Sequence, residues 1–313
     1  MNKKTLAKWL TALAIVGIAT YIYVEWDKFS QLRIVSAAHI GVVVFAVLMN
    51  LVVTSLILWH MLRKLALPIS LLEAVFLSLI STIGNIVGPF RGGAALRAVY
   101  LKSVYGFEFS HFMSTLYGVY VVTIGANASI GLVAVVLMGL DQSFAGLIDP
   151  LIALVACMVA CFVAVMAPRV NSNGSWLLER LASASDGWHT LRSDRGLMRT
   201  VIGLTFLQAI AGVTALWGCF AILGVQPAVM SIAVTGTMGN LSSMLSITPA
   251  GLGVYDGVVA YMASKASIVP HVTVAATLLM RLILLAALVP LCIPAIIWLS
   301  KKFGANVLRP TKV

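Results

Sequence analysis

The chain of 313 residues is 61% hydrophobic and only 10% charged, with a formal net charge of +11 and a mean hydropathy of +1.03. A soluble domain carries roughly 25% charged residues, so the composition argues against a soluble globular protein; the apolar runs are continuous rather than alternating, which argues against a β-barrel. The lysines and arginines cluster between apolar runs, as the positive-inside rule expects of a multi-span membrane protein, so the positive charge implies no nucleic-acid partner.

Lys3, Lys4 and Lys8 precede an apolar run over 9–24. A signal peptide has the same polarity, but Tyr21-Ile-Tyr-Val-Glu25 is a poor cleavage site, so the run reads as a retained first span. The mixed-charge loop Glu25 to Arg33 follows outside. A second span over 35–60 returns inward to Arg63 and Lys64. Residues 71–103 form a broken element: an apolar run of about membrane length ends in Gly88-Pro89-Phe90-Arg91-Gly92-Gly93, with Arg97 and Lys102 beyond. Glu73, near its start, is expected at the inner interface, with no special role. The run 109–140 crosses outward, and Asp141 to Asp149 carries no Lys or Arg. Span 150–167 returns inward to a basic connector, 169–199, with Arg180, Arg192, Arg195 and Arg199. There Trp176, Leu177, Leu178 and Leu181 read either as a short surface helix or as a solvated loop. Span 200–223 leads out to a second broken element, 228–266, interrupted at Thr248-Pro249-Ala250-Gly251-Leu252-Gly253 and followed by Asp256. A last span over 271–299 ends at Lys301 and Lys302.

The two broken elements match. Each begins after a proline (Pro68, Pro227), holds a Gly-Asn pair (Gly84-Asn85, Gly239-Asn240) and reaches Pro-x-x-x-Gly (Pro89 to Gly93, Pro249 to Gly253). The expected fold is an all-α polytopic membrane protein, a single domain over 1–313. It has about six full spans plus two re-entrant broken-helix elements, arranged as inverted repeats over about 35–140 and 200–300 and joined by the connector 169–199. Both termini are then cytoplasmic. The alternative is eight full spans. Broken segments at matching positions of inverted halves point to a transport site near the bilayer midplane.

The breaks supply the candidate site. Gly92, Gly93, Gly251 and Gly253 permit non-helical backbone at membrane depth, which must face protein or a wet cavity. Thr248-Pro249 reads as an N-cap and first-turn proline, a helix start whose free N–H groups suit an anion. Arg91 and Arg97 carry planar forks suited to phosphate, or are inside-face anchors. Arg281 lies within an apolar run, where an intramembrane charge needs a partner. Asp256 is the nearest acidic residue in sequence, and the pair is either structural or part of a gate. The cysteines (Cys157, Cys161, Cys219, Cys292) lie in apolar runs and suggest packing, not a disulfide framework. No histidine has a partner at metal-ligand spacing. Asn127-Ala-Ser129 is a chance glycosylation match inside an apolar run. No nucleotide, metalloprotease or nucleophile motif is present, so neither an enzyme nor a cofactor is expected.

These elements resemble the flippase-like membrane family that includes the transmembrane domain of lysylphosphatidylglycerol synthases. Asn85, Pro89, Arg91, Gly93 and Arg97 fit the family's first motif, with Ala94 at its glutamate position. Pro249, Gly251, Gly253 and Asp256 fit the second, with Ala250 for a glycine, and Arg281 looks like the family's later arginine. The resemblance implies movement of a phospholipid or a polyprenyl-linked lipid between leaflets of a bacterial cytoplasmic membrane; on the chemistry of the residues, Arg91 and Arg97 are then expected to hold the anionic headgroup. Lipid- or glycan-synthesis enzymes are possible partners. The soluble aminoacyl transferase domain of some members has no counterpart among these 313 residues, so lipid aminoacylation is not expected of them. The rival readings are a small-anion carrier and a non-transporting subunit of a membrane glycosyltransferase or lipid-modifying system.

Overall fold

A computed structural model describes residues 3–88, 92–107, 109–141, 144–166, 182, 185, 188–244 and 248–307. Helices and their connections account for all of these residues; there is no strand among them. The helices are α1 (Lys3–Val24), α2 (Trp26–Ser30), α3 (Ala38–Lys64), α4 (Leu71–Val87), α5 (Gly92–Tyr105), α6 (Phe109–Asp141), α7 (Ile148–Met166), α8 (Arg195–Ile222), α9 (Val229–Met244), α10 (Val254–Lys265) and α11 (Pro270–Val307). Five are long and apolar enough to cross a membrane: α3, α6, α7, α8 and α11. Where six full spans were expected, α1 joins α4 among the shorter apolar helices, through its stretch Ile15–Val24. The surface-helix question at residues 176–181 lies outside the described residues.

α3 and α8 run along each other at the centre. Gly218 permits the approach: a Cβ there would come within 2.6 Å of a Val43 methyl. Lipid tails are as apolar as leucine, so helices in a bilayer associate through close packing at small residues. Val43, Leu216, Phe220 and Ile222 are fully buried around this contact. α7 is peripheral, with Ile152, Val159 and Phe162 more than half exposed, the surface that acyl chains would cover.

Each broken element folds into a helical hairpin. Ser70 caps α4, its Oγ accepting the Glu73 N–H at 3.2 Å. Gly88, in extended conformation, ends the helix. α5 then returns along α4, so that Glu73 near the start of one leg meets Tyr100 and Tyr105 on the other. α9 and α10 do the same, with Gly239 against Tyr255 and Val259 and residues 228–231 beside 265–268. α4 packs on α3 and α11, whereas α9 packs on α8 and α6. The hairpins therefore exchange partners, each lying on one long helix before α7 and one after it.

Ion pairs identify the two ends of the bundle. At one end Lys64 pairs with Asp194, and Lys302 with Glu73. At the other, Lys265 pairs with Asp149 at 2.8 Å, and the Val35 N–H reaches the Ile222 carbonyl at 2.8 Å. Asp194 also caps α8, accepting the Leu197 N–H at 2.9 Å. The Lys64 ammonium and this N–H hold its carboxyl below the usual carboxylate range. The contact is thus present at neutral pH and lost only as acid titrates the depressed group.

Glu73 corrects the sequence reading. It is 1% exposed and accepts hydrogen bonds from Tyr100 at 2.7 Å, Tyr105 at 2.8 Å and Lys302 at 2.7 Å. The carboxylate ties both legs of the first hairpin to the end of α11. Removing one partner of a buried charge leaves the other uncompensated. Lys302→Met is therefore expected to cost about 1–3 kcal/mol, the lower part of that range reflecting the lysine's partial exposure. Tyr105→Phe should cost less, because Tyr100 and Lys302 remain. Thermal unfolding of the two variants in detergent checks the order.

Candidate functional site

The first hairpin is closest at Gly93. A Cβ there would lie 1.7 Å from the Ser81 carbonyl oxygen, so only glycine lets the two backbones meet. The Gly93 N–H donates to Asn85 Oδ1 at 3.0 Å, and its carbonyl accepts from Ser81 Oγ at 3.1 Å. Ser81 Oγ in turn accepts from Arg97 Nε at 3.0 Å. Asn85, Gly93 and Arg97 are thus brought together; Gly92 opens α5, half-buried. Arg91 lies outside the described residues. Gly93→Ala pits a methyl against backbone, which cannot rotate away. The variant is expected to lose its folded form, at a cost at or above the roughly 3 kcal/mol of ordinary overpacking, read as loss of a monodisperse peak on size exclusion.

In the second hairpin, Gly251 and Gly253 adopt φ of +69° and +84°, where glycine has no steric penalty. Ala250, a non-glycine residue, takes φ of +53°. The helix start expected at Thr248-Pro249 is only a 3-10 turn, Pro249–Gly251. The Thr248 hydroxyl donates to the Leu252 carbonyl at 2.8 Å instead of capping, and α10 begins at Val254. The Gly253 N–H is taken by Asp256 Oδ2 at 3.0 Å, so the chain's own carboxylate occupies the place the sequence reading offered to an anion.

Asp256 and Arg281 do pair. Arg281 donates to Asp256 Oδ1 at 2.7 Å and Oδ2 at 3.0 Å, and the two side chains are 8% and 15% exposed. This two-pronged contact joins the start of α10 to α11. Arg97 differs: among the described residues, no carboxylate lies within ion-pair distance of it.

The hairpin tips meet, with α4 against the turn Pro249–Gly251. Two cavities adjoin there. One, of about 300 Å³, is lined by Arg97, Ala94, Tyr120, Asn127, Gln208 and Asn240 among others. The second, of about 440 Å³, is bounded by Arg281, Tyr255 and apolar residues including Ile86, Met280 and Leu284. Thr82, Asn85 and Ser243 line both. Asn50, Asn127 and Gln208 stand near the midpoints of α3, α6 and α8. Asn240 donates to Asn127 at 3.1 Å, Asn127 to the Thr123 carbonyl at 2.9 Å, and Gln208 to Thr54 at 2.7 Å. Sequence reading passed over Asn50, Gln208 and Asn127, the last set aside as a chance motif. The available signal was a lone amide in the middle of an apolar run, which marks a wall facing away from lipid.

The geometry defines a class: a multi-pass helical membrane protein with a polar cavity lined by two broken hairpins and the long helices α3, α6 and α8. The model of the lysylphosphatidylglycerol synthase transmembrane region matches residues 9–292, and the chain belongs to that family. No curated protein and no solved structure matches the chain.

Proposed function

We propose that this protein carries the anionic headgroup of a lipid, either a phospholipid or a polyprenyl-phosphate-linked glycan, between leaflets of a bacterial cytoplasmic membrane. The observation that carries the reading is Arg97: a cation without a carboxylate partner among the described residues, in a polar cavity lined from both hairpins. An uncompensated charge at such depth is costly unless an anion visits it. The adjoining cavity favours a lipid over a small soluble anion. Its wall of Ile86, Leu252, Met280 and Leu284 suits the apolar part of an amphiphile beside the site for its head. Membrane lipids are then the protein's ligands, with lipid- or glycan-synthesis enzymes as its neighbours. No covalent bond changes in the process.

Each hairpin begins and ends at one end of the bundle, which supports re-entrant elements. The exchanged packing of α4 and α9 supports inverted repeats over α3–α6 and α8–α11. Rocking of one half against the other then exposes the cavity to each leaflet in turn. Arg63, Lys64, Arg192, Arg195, Arg199 and Lys302 sit at one end, which supports placing that end and both termini in the cytoplasm.

The test is lipid movement in proteoliposomes, using headgroup-labelled phosphatidylglycerol, a short-chain polyprenyl phosphate and, as a soluble control, trapped glycerol phosphate. At least one lipid should change leaflet faster than in protein-free vesicles while glycerol phosphate stays inside. Release of glycerol phosphate without lipid movement would make the protein a small-anion carrier. Movement of none of the three would leave the accessory-subunit reading.

A further inference from the structure

A second cavity lies away from the hairpins. α6 packs against both α7 and α8, and a crevice of about 450 Å³ lies among the three helices. That volume falls within the roughly 300–1,000 Å³ of ligand sites. α6 turns Tyr120, Thr123 and Asn127 toward the central cavity and Val121, Val122, Gly125 and Ala126 toward the crevice, so one helix wall separates the two spaces. The crevice is apolar along its length, with Cys161 and Val165 from α7 and Ile202 and Phe206 from α8.

At the connector end the lining changes to Arg192, Arg195 and Arg199. All three are exposed, and among the described residues none is in an ion pair. The nearby carboxylate, Asp194, is already engaged by Lys64 and the Leu197 N–H. Arg192 donates to the Val165 carbonyl at 2.7 Å, which fixes it at the end of α7. Arg195 and Arg199 stand in the first turns of α8, where the helix dipole is positive and a cation is least favoured. An anion there would satisfy both the dipole and the arginines. Trp188, 3% exposed, also lines the crevice, and its indole N–H has no acceptor among the described residues.

We infer that this crevice is a standing site for an anionic phospholipid of the connector-side leaflet. One acyl chain lies along the apolar walls between α7 and α8, and the phosphate rests over Arg195 and Arg199 with Arg192 beside it. Basic pockets between transmembrane helices are suited to such headgroups. The site is separate from the central cavity and does not depend on what that cavity carries.

The test uses the full chain in nanodiscs containing phosphatidylglycerol or phosphatidylcholine with a photoactivatable group on one acyl chain. Cross-linked residues are mapped by mass spectrometry. Phosphatidylglycerol should label the facing surfaces of α7 and α8 at least fivefold more than phosphatidylcholine. The double variant Arg195→Gln/Arg199→Gln should erase that preference; Arg192 is kept because it caps α7. Ile202→Trp fills the crevice from its exposed side and leaves the arginines in place, so it should remove the labelling with either lipid. Equal labelling by the two lipids in the unmodified protein would overturn the inference without any variant. So would labelling indifferent to both variants, or full competition by millimolar glycerol phosphate, which would make this a site for soluble anions.

Discussion

Arg97→Gln is expected to slow lipid movement in proteoliposomes by about 10- to 100-fold while the protein stays folded. A hydrogen bond to a charged group contributes roughly 1.5–3 kcal/mol, and about 1.4 kcal/mol corresponds to a factor of ten. The side chain has no carboxylate partner among the described residues to lose, so its removal relieves an uncompensated charge. Thermal stability should therefore hold or rise as activity falls, the usual sign of a residue kept for function at the expense of stability. Arg97→Lys keeps the charge but gives up the planar fork and the Nε–H contact to Ser81, and should retain intermediate activity. If Arg97→Gln lost stability and kept its transport rate, the arginine would be a structural anchor.

Asp256→Asn is expected to behave in the opposite way, with stability falling first. It leaves Arg281, 15% exposed, without its counter-charge, and breaking a buried pair from one side costs about 3–5 kcal/mol. It also weakens the acceptor that holds the Gly253 N–H at the break. The double variant Asp256→Leu/Arg281→Met removes both charges and should recover most of the loss, since apolar replacement of a buried pair is often neutral or better. Unfolding in detergent, followed for both single variants and the double, gives the coupling. Near-additive losses would mean that the two residues act separately, and Arg281 would then join Arg97 as a candidate headgroup receptor.

These two arginines show what a sequence can and cannot tell. Arg97 was legible as a cation beside a break, and Arg281 as an intramembrane charge in need of a partner. Asp256 was named as the nearest acidic residue to Arg281, and the structure makes that pair; that Arg97 has no such partner among the described residues was not legible, because a charge is assigned by what lies within about 4 Å of it. The same holds for Glu73, which looked like an interface carboxylate until the return of α5 brought Tyr100 and Tyr105 to it and α11 brought Lys302. Thr248-Pro249 was read correctly as an interruption but not as to its form, since the helix start five residues later follows from the left-handed turns at Ala250, Gly251 and Gly253. The Asn127 and Asn240 contact joins residues 113 apart and has no local signature beyond a polar residue within an apolar run.

Composition and the order of apolar runs by themselves determined the helical membrane class, the positions of the long helices and the two matched breaks. They did so because a bilayer accepts only self-satisfied apolar helices of a narrow range of lengths. The tertiary structure alone decided which polar groups face one another across the breaks. It compensates Arg281 and leaves Arg97 facing the central cavity, because pairing depends on how α4–α5 and α9–α10 fold back against α11 and α6, and neighbours along the chain do not encode that.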